Sequence, residues 1–220
     1  SNNMSDLIPL TIIAGYLGAG KTTLINRLLA QADGKRLAVL VNDFGDINID
    51  ASLIASHDGG TISLTNGCVC CSISDALGDA LDQVTAMLPP PDQIIVEASG
   101  VSDPAKVAHY GLGWPGVTLD SVLTLADAET IRDRATDKFV GHLVLQQLRT
   151  ADLVVLTKPD LVSEARLREV EQWAASLAGG APSVRATNGD LPVAMVLEEG
   201  RTAEPFPATE RDTAIDSAPV

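Results

Sequence analysis

The chain has 220 residues, 45% of them hydrophobic, 20% charged and only 3% aromatic; that is enough for one substantial core built mainly from Ala, Val, Ile and Leu. Its formal net charge of −14 argues against a nucleic-acid binder, which needs a basic footprint. No apolar run approaches the roughly 20 residues of a membrane span and no secretory leader opens the sequence, so the expected compartment is the cytoplasm and no membrane partner is expected.

Ser1 to Asn3, ahead of Met4, read as an expression scar. "PLTIIAG" (Pro9 to Gly15) predicts a short buried strand ending in glycine, and "KTTLINRLLAQ" (Lys21 to Gln31) a helix. "RLAVLVND" (Arg36 to Asp43) is a second strand, and "GTISLTN" (Gly60 to Asn66) a short alternating one leading into "NGCVCC". A helix is predicted from about Ser74 to Met87, followed by the punctuation "PPPDQ". "IIVEASG" (Ile94 to Gly100) and "DSVLTLAD" (Asp120 to Asp127) are further buried strands, with one long helix between Glu129 and Leu148. "DLVVLTK" (Asp152 to Lys158), a helix over Ser163 to Leu177 and a last strand at "APSVRAT" (Ala181 to Thr187) complete the pattern.

Near-continuous apolar strands separated by helices predict an α/β fold, a three-layer sandwich with a mostly parallel sheet covered by helices on both faces. One domain is expected over residues 8–197, after a lead-in at 1–7. Residues 198–220, rich in Pro, Ala, Thr and charge, are expected to form a flexible tail or linker.

"GYLGAGKT" (Gly15 to Thr22) fits G-x-x-x-x-G-K-[ST] after a strand and before a helix, the context of a P-loop. Glycines let the backbone close on a phosphate, and N–H groups with the helix N-terminus supply positive potential. Lys21 is expected on the β- and γ-phosphates and Thr22 on Mg²⁺. The bland alternative is a glycine-rich turn with an incidental lysine. An acidic magnesium partner is expected at the end of another buried strand: Glu97 qualifies, and Gly100 three residues later is placed to sense a γ-phosphate. Asp43, Asp46 and Asp50 crowd a second strand end on the same rim. One of them is expected to hold Mg²⁺ or orient water, against the competing reading of a solvated acidic loop. "TKPD" (Thr157 to Asp160) supplies base choice: the Asp160 carboxylate accepts from the guanine ring N–H and exocyclic amine, a donor pair that adenine lacks, while Lys158 lays its stem along the base.

All three cysteines, Cys68, Cys70 and Cys71, fall in "NGCVCC", which excludes a disulfide framework and points to metal or redox chemistry. Thiolates suit Zn²⁺, Cu(I) or Co²⁺ rather than Mg²⁺, and one compact group without a second pair leaves a coordination position open. An extended backbone points Cys68 and Cys70 the same way, whereas a helical turn aligns Cys68 with Cys71. Three thiolates, or two with Asp43 or a histidine, are both consistent. A redox switch with thiols at a helix start is the rival; inert burial fits less well, because Asn-Gly marks a turn.

"GYLGAGKT", "NGCVCC", "EASGVSDP" and "TKPD", in that order, together resemble the CobW-like family of GTP-binding metallochaperones, relatives of the urease and hydrogenase maturation GTPases. "VNDFG" is similar to that family's N-E-F-G stretch, with Asp43 for the usual glutamate. The resemblance covers about residues 8–197. It implies that Gly15, Gly18, Ala19, Gly20, Lys21, Thr22 and Thr23 bind phosphate and magnesium, with Asp50 and Glu97 in the magnesium region. It implies catalytic roles for Lys21, Asp43 and Glu97, and a guanine pocket at Lys158 and Asp160. It also implies a transition metal, zinc or cobalt, at Cys68, Cys70 and Cys71, slow GTP hydrolysis to GDP and phosphate, and nucleotide-gated delivery to a client metalloprotein or a metal-cofactor pathway such as cobalamin biosynthesis. Two departures stand out: Thr157 replaces the usual Asn, which is expected to loosen base selectivity, and the C-terminal domain and His-rich stretch common in the family are not expected within these 220 residues. The only histidines are His57, His109 and His142. Two competing functions remain: a small-molecule kinase, which would need an arginine-bearing lid, and a nucleotide-dependent interaction module with a structural or redox cysteine cluster.

Overall fold

The computed structural model describes residues 6–73, 76–99 and 103–197. Gly100 and the expected tail at 198–220 lie outside that range. Apolar strands with no polar face need cover on both sides, and β1 (Ile8–Gly15), β2 (Leu37–Val41) and β8 (Leu153–Thr157) are buried along their whole length. Together with β6 (Gln93–Glu97) and β7 (Val117–Asp127) they form the parallel centre of a nine-stranded sheet among the described residues, ordered β3-β4-β5-β2-β6-β1-β7-β8-β9. β9 (Ser183–Ala186) closes one side. The other side ends in an antiparallel pair, β3 (Ile54–Asp58) and β4 (Thr61–Leu64), joined to β2 through β5 (Val69–Ser72).

The two faces are covered differently. Helix α1 (Lys21–Ala30) lays Leu24, Ile25, Leu28 and Leu29 on one face, in a core shared with Val39, Ile95, Val155, Val196 and Leu197. Helices α2 (Leu77–Thr85) and α3 (Pro104–Gly113) cover the opposite face over β1, β2 and β6. That face continues under α4 (Ile131–Thr136), α5 (Gly141–Thr150) and α6 (Glu164–Leu177) over β7 and β8. The expected three layers are present, but the α1 face is completed by the irregular segment up to Leu197 rather than by a second helix.

At the amino end of the central strands the buried Gln93 amide donates to Thr11 Oγ1 at 2.8 Å and to the Val196 carbonyl at 2.9 Å. An unpaired amide there would cost a desolvation penalty of about 1–3 kcal/mol, so this bond fixes the end of the described chain against the sheet.

Two sequence expectations are corrected and one open alternative is resolved. The long helix over Glu129–Leu148 is two helices, because Asp137 Oδ1 takes the Phe139 and Val140 N–H groups at 2.8 and 3.2 Å and turns the chain. α3 and β3 went unpredicted: "PAKVAHYGLG" carries two glycines, and β3 is an exposed edge strand without hydrophobic alternation. The cysteine backbone, left open between extended and helical, is extended: Cys68 leads into strand β5, which holds Cys70 and Cys71.

Candidate functional site

The phosphate loop follows directly from the packing of β1 on β7. Gly15 has φ 143°, and a Cβ there would lie 2.4 Å from the Leu125 carbonyl oxygen, so only glycine lets β1 end this close to its neighbour. From there the chain curls into α1. The buried Lys21 reaches back so that Nζ donates to the Gly15 carbonyl at 2.6 Å. Gly18, Ala19, Gly20, Lys21, Thr22 and Thr23 then line an open cleft of about 480 Å³. Glu97, half-buried at the end of β6, lines the same cleft, as do Asn42, Ser99 and Lys158. A carboxylate and a threonine hydroxyl lining one cleft are hard oxygen donors of the kind Mg²⁺ takes.

Sequence reasoning missed Asn42 and Ser99. Each follows a buried parallel strand at its carboxyl end, where ligands of open α/β sheets gather, and that position was the available signal.

The base-reading segment is fastened to the phosphate loop. Thr157, buried at the end of β8, donates its hydroxyl to the Ala19 carbonyl at 2.8 Å. The threonine that replaces the usual Asn therefore keeps a donor to the phosphate loop. Lys158 Nζ donates to the Gly18 carbonyl at 3.1 Å and to Asp127 Oδ2 at 2.9 Å. Asp160 is exposed in the short 3₁₀ turn Pro159–Leu161, outside the cleft lining.

Asp43 and Asp50 also stand outside that lining. Both are exposed and serve as caps: Asp43 Oδ1 accepts from Gly45 N at 2.9 Å and Asp50 Oδ1 from Ser52 N at 3.0 Å. The Ser52 backbone bond holds the Asp50 carboxyl below its ordinary range.

The three thiols are arranged as the extended-strand alternative requires. Gly67, at φ 86°, makes the turn between β4 and β5, and Asn66 stabilises it: Oδ1 accepts from Cys68 N at 3.1 Å and Nδ2 donates to Leu29 O at 2.6 Å. Cys68 and Cys70 share the core with Leu28 and Leu29 of α1, whereas Cys71 faces the opposite core with Leu81. All three are buried and unbridged. Burial pushes every thiol up, Cys70 to about 12, with Cys71 and Glu97 adding charge repulsion. Among the described residues no group of three or more His, Cys, Asp or Glu is placed to hold a metal ion.

Asp43 and the exposed His57, His109 and His142 stand on other elements, and among the described residues none of them completes a metal-holding group with the cysteines. The redox rival loses its premise, since these thiols lie on a strand with raised, not lowered, pKa values.

A family model for the CobW/HypB/UreG nucleotide-binding domain matches residues 9–185. This chain belongs to that family. Among its CobW-family relatives it is 34% identical to a zinc chaperone CobW from Sinorhizobium sp, over 88% of this chain and 63% of that protein. It is 32% identical to the zinc chaperone YjiA of Escherichia coli K12, over 86% of this chain and 61% of that protein. The crystal structure of Zn(II)-bound YjiA GTPase from E. coli superposes with a TM-score of 0.70 at 29% identity, covering 88% of this chain and 62% of that one. The chain thus spans about three fifths of the length of these relatives. No described helix is long and apolar enough to cross a membrane.

Proposed function

We propose that this CobW-family domain binds Mg·GTP, hydrolyses it slowly in the cytoplasm, and uses the nucleotide state to gate a transition metal at the Cys68–Cys71 strand for delivery to a client metalloprotein. The observation that carries the reading is the common cleft: the phosphate loop, Glu97 and Lys158 converge there, with Thr157 fastening the base segment to Ala19. Within it Lys21 neutralises the β- and γ-phosphates and Thr22 and Glu97 hold Mg²⁺, while Asp160, beyond the cleft lining on the turn after Lys158, reads guanine. That the relatives CobW and YjiA are zinc chaperones favours zinc over cobalt as cargo.

The gate follows from thiol chemistry. Metals bind the thiolate, and a buried thiol with a raised pKa holds its proton. Metal capture therefore requires that water reach the thiols and their protons leave, and Cys71, on the other face of β5, joins Cys68 and Cys70 only if that strand turns. Asn42 in the cleft immediately follows β2, and its carbonyl accepts from Ser72 Oγ at the end of β5 at 3.2 Å. This is a short route from nucleotide to cysteine strand.

The test is Zn²⁺ affinity, by competition with a calibrated chelator, in Mg²⁺ with a non-hydrolysable GTP analogue and again in Mg·GDP. The GTP-like state is expected to bind at least about tenfold tighter, roughly 1.4 kcal/mol of coupling, and Cys68→Ser and Cys70→Ser to remove the difference. Equal affinity in both states would leave a nucleotide-binding domain with no gate.

A further inference from the structure

Asp127 lies outside the sequence motifs read above, yet it is tied into both halves of the nucleotide site. It ends β7 directly opposite Thr157 of β8. Its Oδ1 accepts from Glu129 N at 2.9 Å and Thr130 N at 3.3 Å, which fixes the carboxylate against its own loop. Its Oδ2 receives the Lys158 ammonium at 2.9 Å. Asp127 is 14% exposed and Lys158 46%, so the carboxylate is the fixed partner and the lysine the one led into place.

Lys158 itself turns with φ 53°, a left-handed conformation that residues with a Cβ seldom hold. That turn sends its side chain back over the phosphate loop to the Gly18 carbonyl. A lysine on a flexible stem beside bound phosphates would be drawn toward their charge. Two acceptors, one anionic, hold it elsewhere and leave its methylene stem as apolar surface.

We propose that Asp127 is a positioning residue for base selectivity: it anchors the Lys158 ammonium beside Gly18, so that the lysine stem forms the floor on which the nucleotide base rests. The height of that floor sets where the base edge meets the Asp160 carboxylate. Guanine, with its ring N–H and exocyclic amine, depends on that height; adenine, lacking the pair, depends on it less. This inference rests on the guanine-nucleotide reading above.

The experiment titrates the full chain calorimetrically with Mg·GDP, Mg·ADP and inorganic tripolyphosphate, for the wild type, Asp127→Asn and Asp127→Glu. Asp127→Asn keeps the shape and the acceptor for the loop but removes the charge that holds the lysine. GDP affinity is expected to fall about tenfold, tripolyphosphate affinity to stay within about twofold, and the GDP:ADP ratio to drop accordingly. Asp127→Glu, which keeps the charge, should recover part of the ratio. An unchanged ratio in Asp127→Asn overturns the inference. So does a fall in tripolyphosphate affinity in step with GDP, because that marks a purely structural role. A wild type with no preference for GDP over ADP would instead sink the guanine reading itself and the inference with it.

Discussion

The phosphate-loop rim and the cysteine strand are equally compact in sequence and built in opposite ways. Around Gly15–Thr23 the backbone curls, so consecutive residues converge on one cleft, and the ends of β6 and β8 add Glu97 and Lys158 to it. Along Val69–Ser72 the backbone is extended, so Cys70 and Cys71 point into different cores on opposite faces of the sheet. A motif that curls around its ligand is a site as folded. A motif threaded along a strand splits its adjacent members: Cys68 and Cys70 share one face, and Cys71 joins them only if the strand moves.

The largest effect that would break this contrast is on the phosphate side. Lys21→Ala is expected to weaken Mg·GDP binding about a hundredfold, the roughly 3 kcal/mol ascribed to a charged hydrogen-bonding group, with thiol accessibility unchanged. Calorimetry would show it, and a loss of less than about fivefold would mean that Lys21 keeps its Gly15 contact and does not serve the nucleotide.

On the cysteine side, iodoacetamide at about pH 8 should label the folded protein at least about tenfold more slowly than the unfolded chain. Labelling at equal rates would show that the thiols are not sequestered. Stability carries the same signature. The Cys70 thiol is raised from 9.0 to about 12, so the unfolded chain releases its proton first. The contribution is complete below pH 9.0 and is lost as pH rises toward about 12. A denaturant midpoint lower at about pH 10.5 than at about pH 8, with a smaller drop in Cys70→Ala, would sharpen the assignment.

The smallest effect concerns the fastening of the base segment. Thr157→Val keeps the shape but leaves the Ala19 carbonyl without its donor, an expected loss of about 1 kcal/mol in unfolding free energy. No measurable change would mean that the two halves of the cleft are held together by other contacts.

The sheet was legible because β1, β2, β6 and β8 are apolar runs of strand length bounded by glycine, proline or charge. β3 was not, because an edge strand facing solvent loses the pattern that marks a buried one. The phosphate loop was legible for a different reason: its glycines and lysine act through backbone curvature, which sequence spacing encodes. Asp43 and Asp50 cap local turns, a use the sequence did not separate from cation binding, because an aspartate satisfies nearby N–H groups as readily as it takes a cation. Asp127 was visible only as the last letter of a strand; its pairing with Lys158 arises from the β7–β8 register, which no local window contains.

The Gln93 bond to Val196 has a directional consequence. Gln93 begins β6 and Glu97 ends it, so the anchored segment lies about 13 Å below the cleft at the usual rise of a strand. Gln93 is also in register with Leu37, whose N–H donates to Cys68 Sγ. Val196 is therefore held at the amino end of the sheet, two strands from the strand that Cys68 enters and at the opposite end of β6 from Glu97.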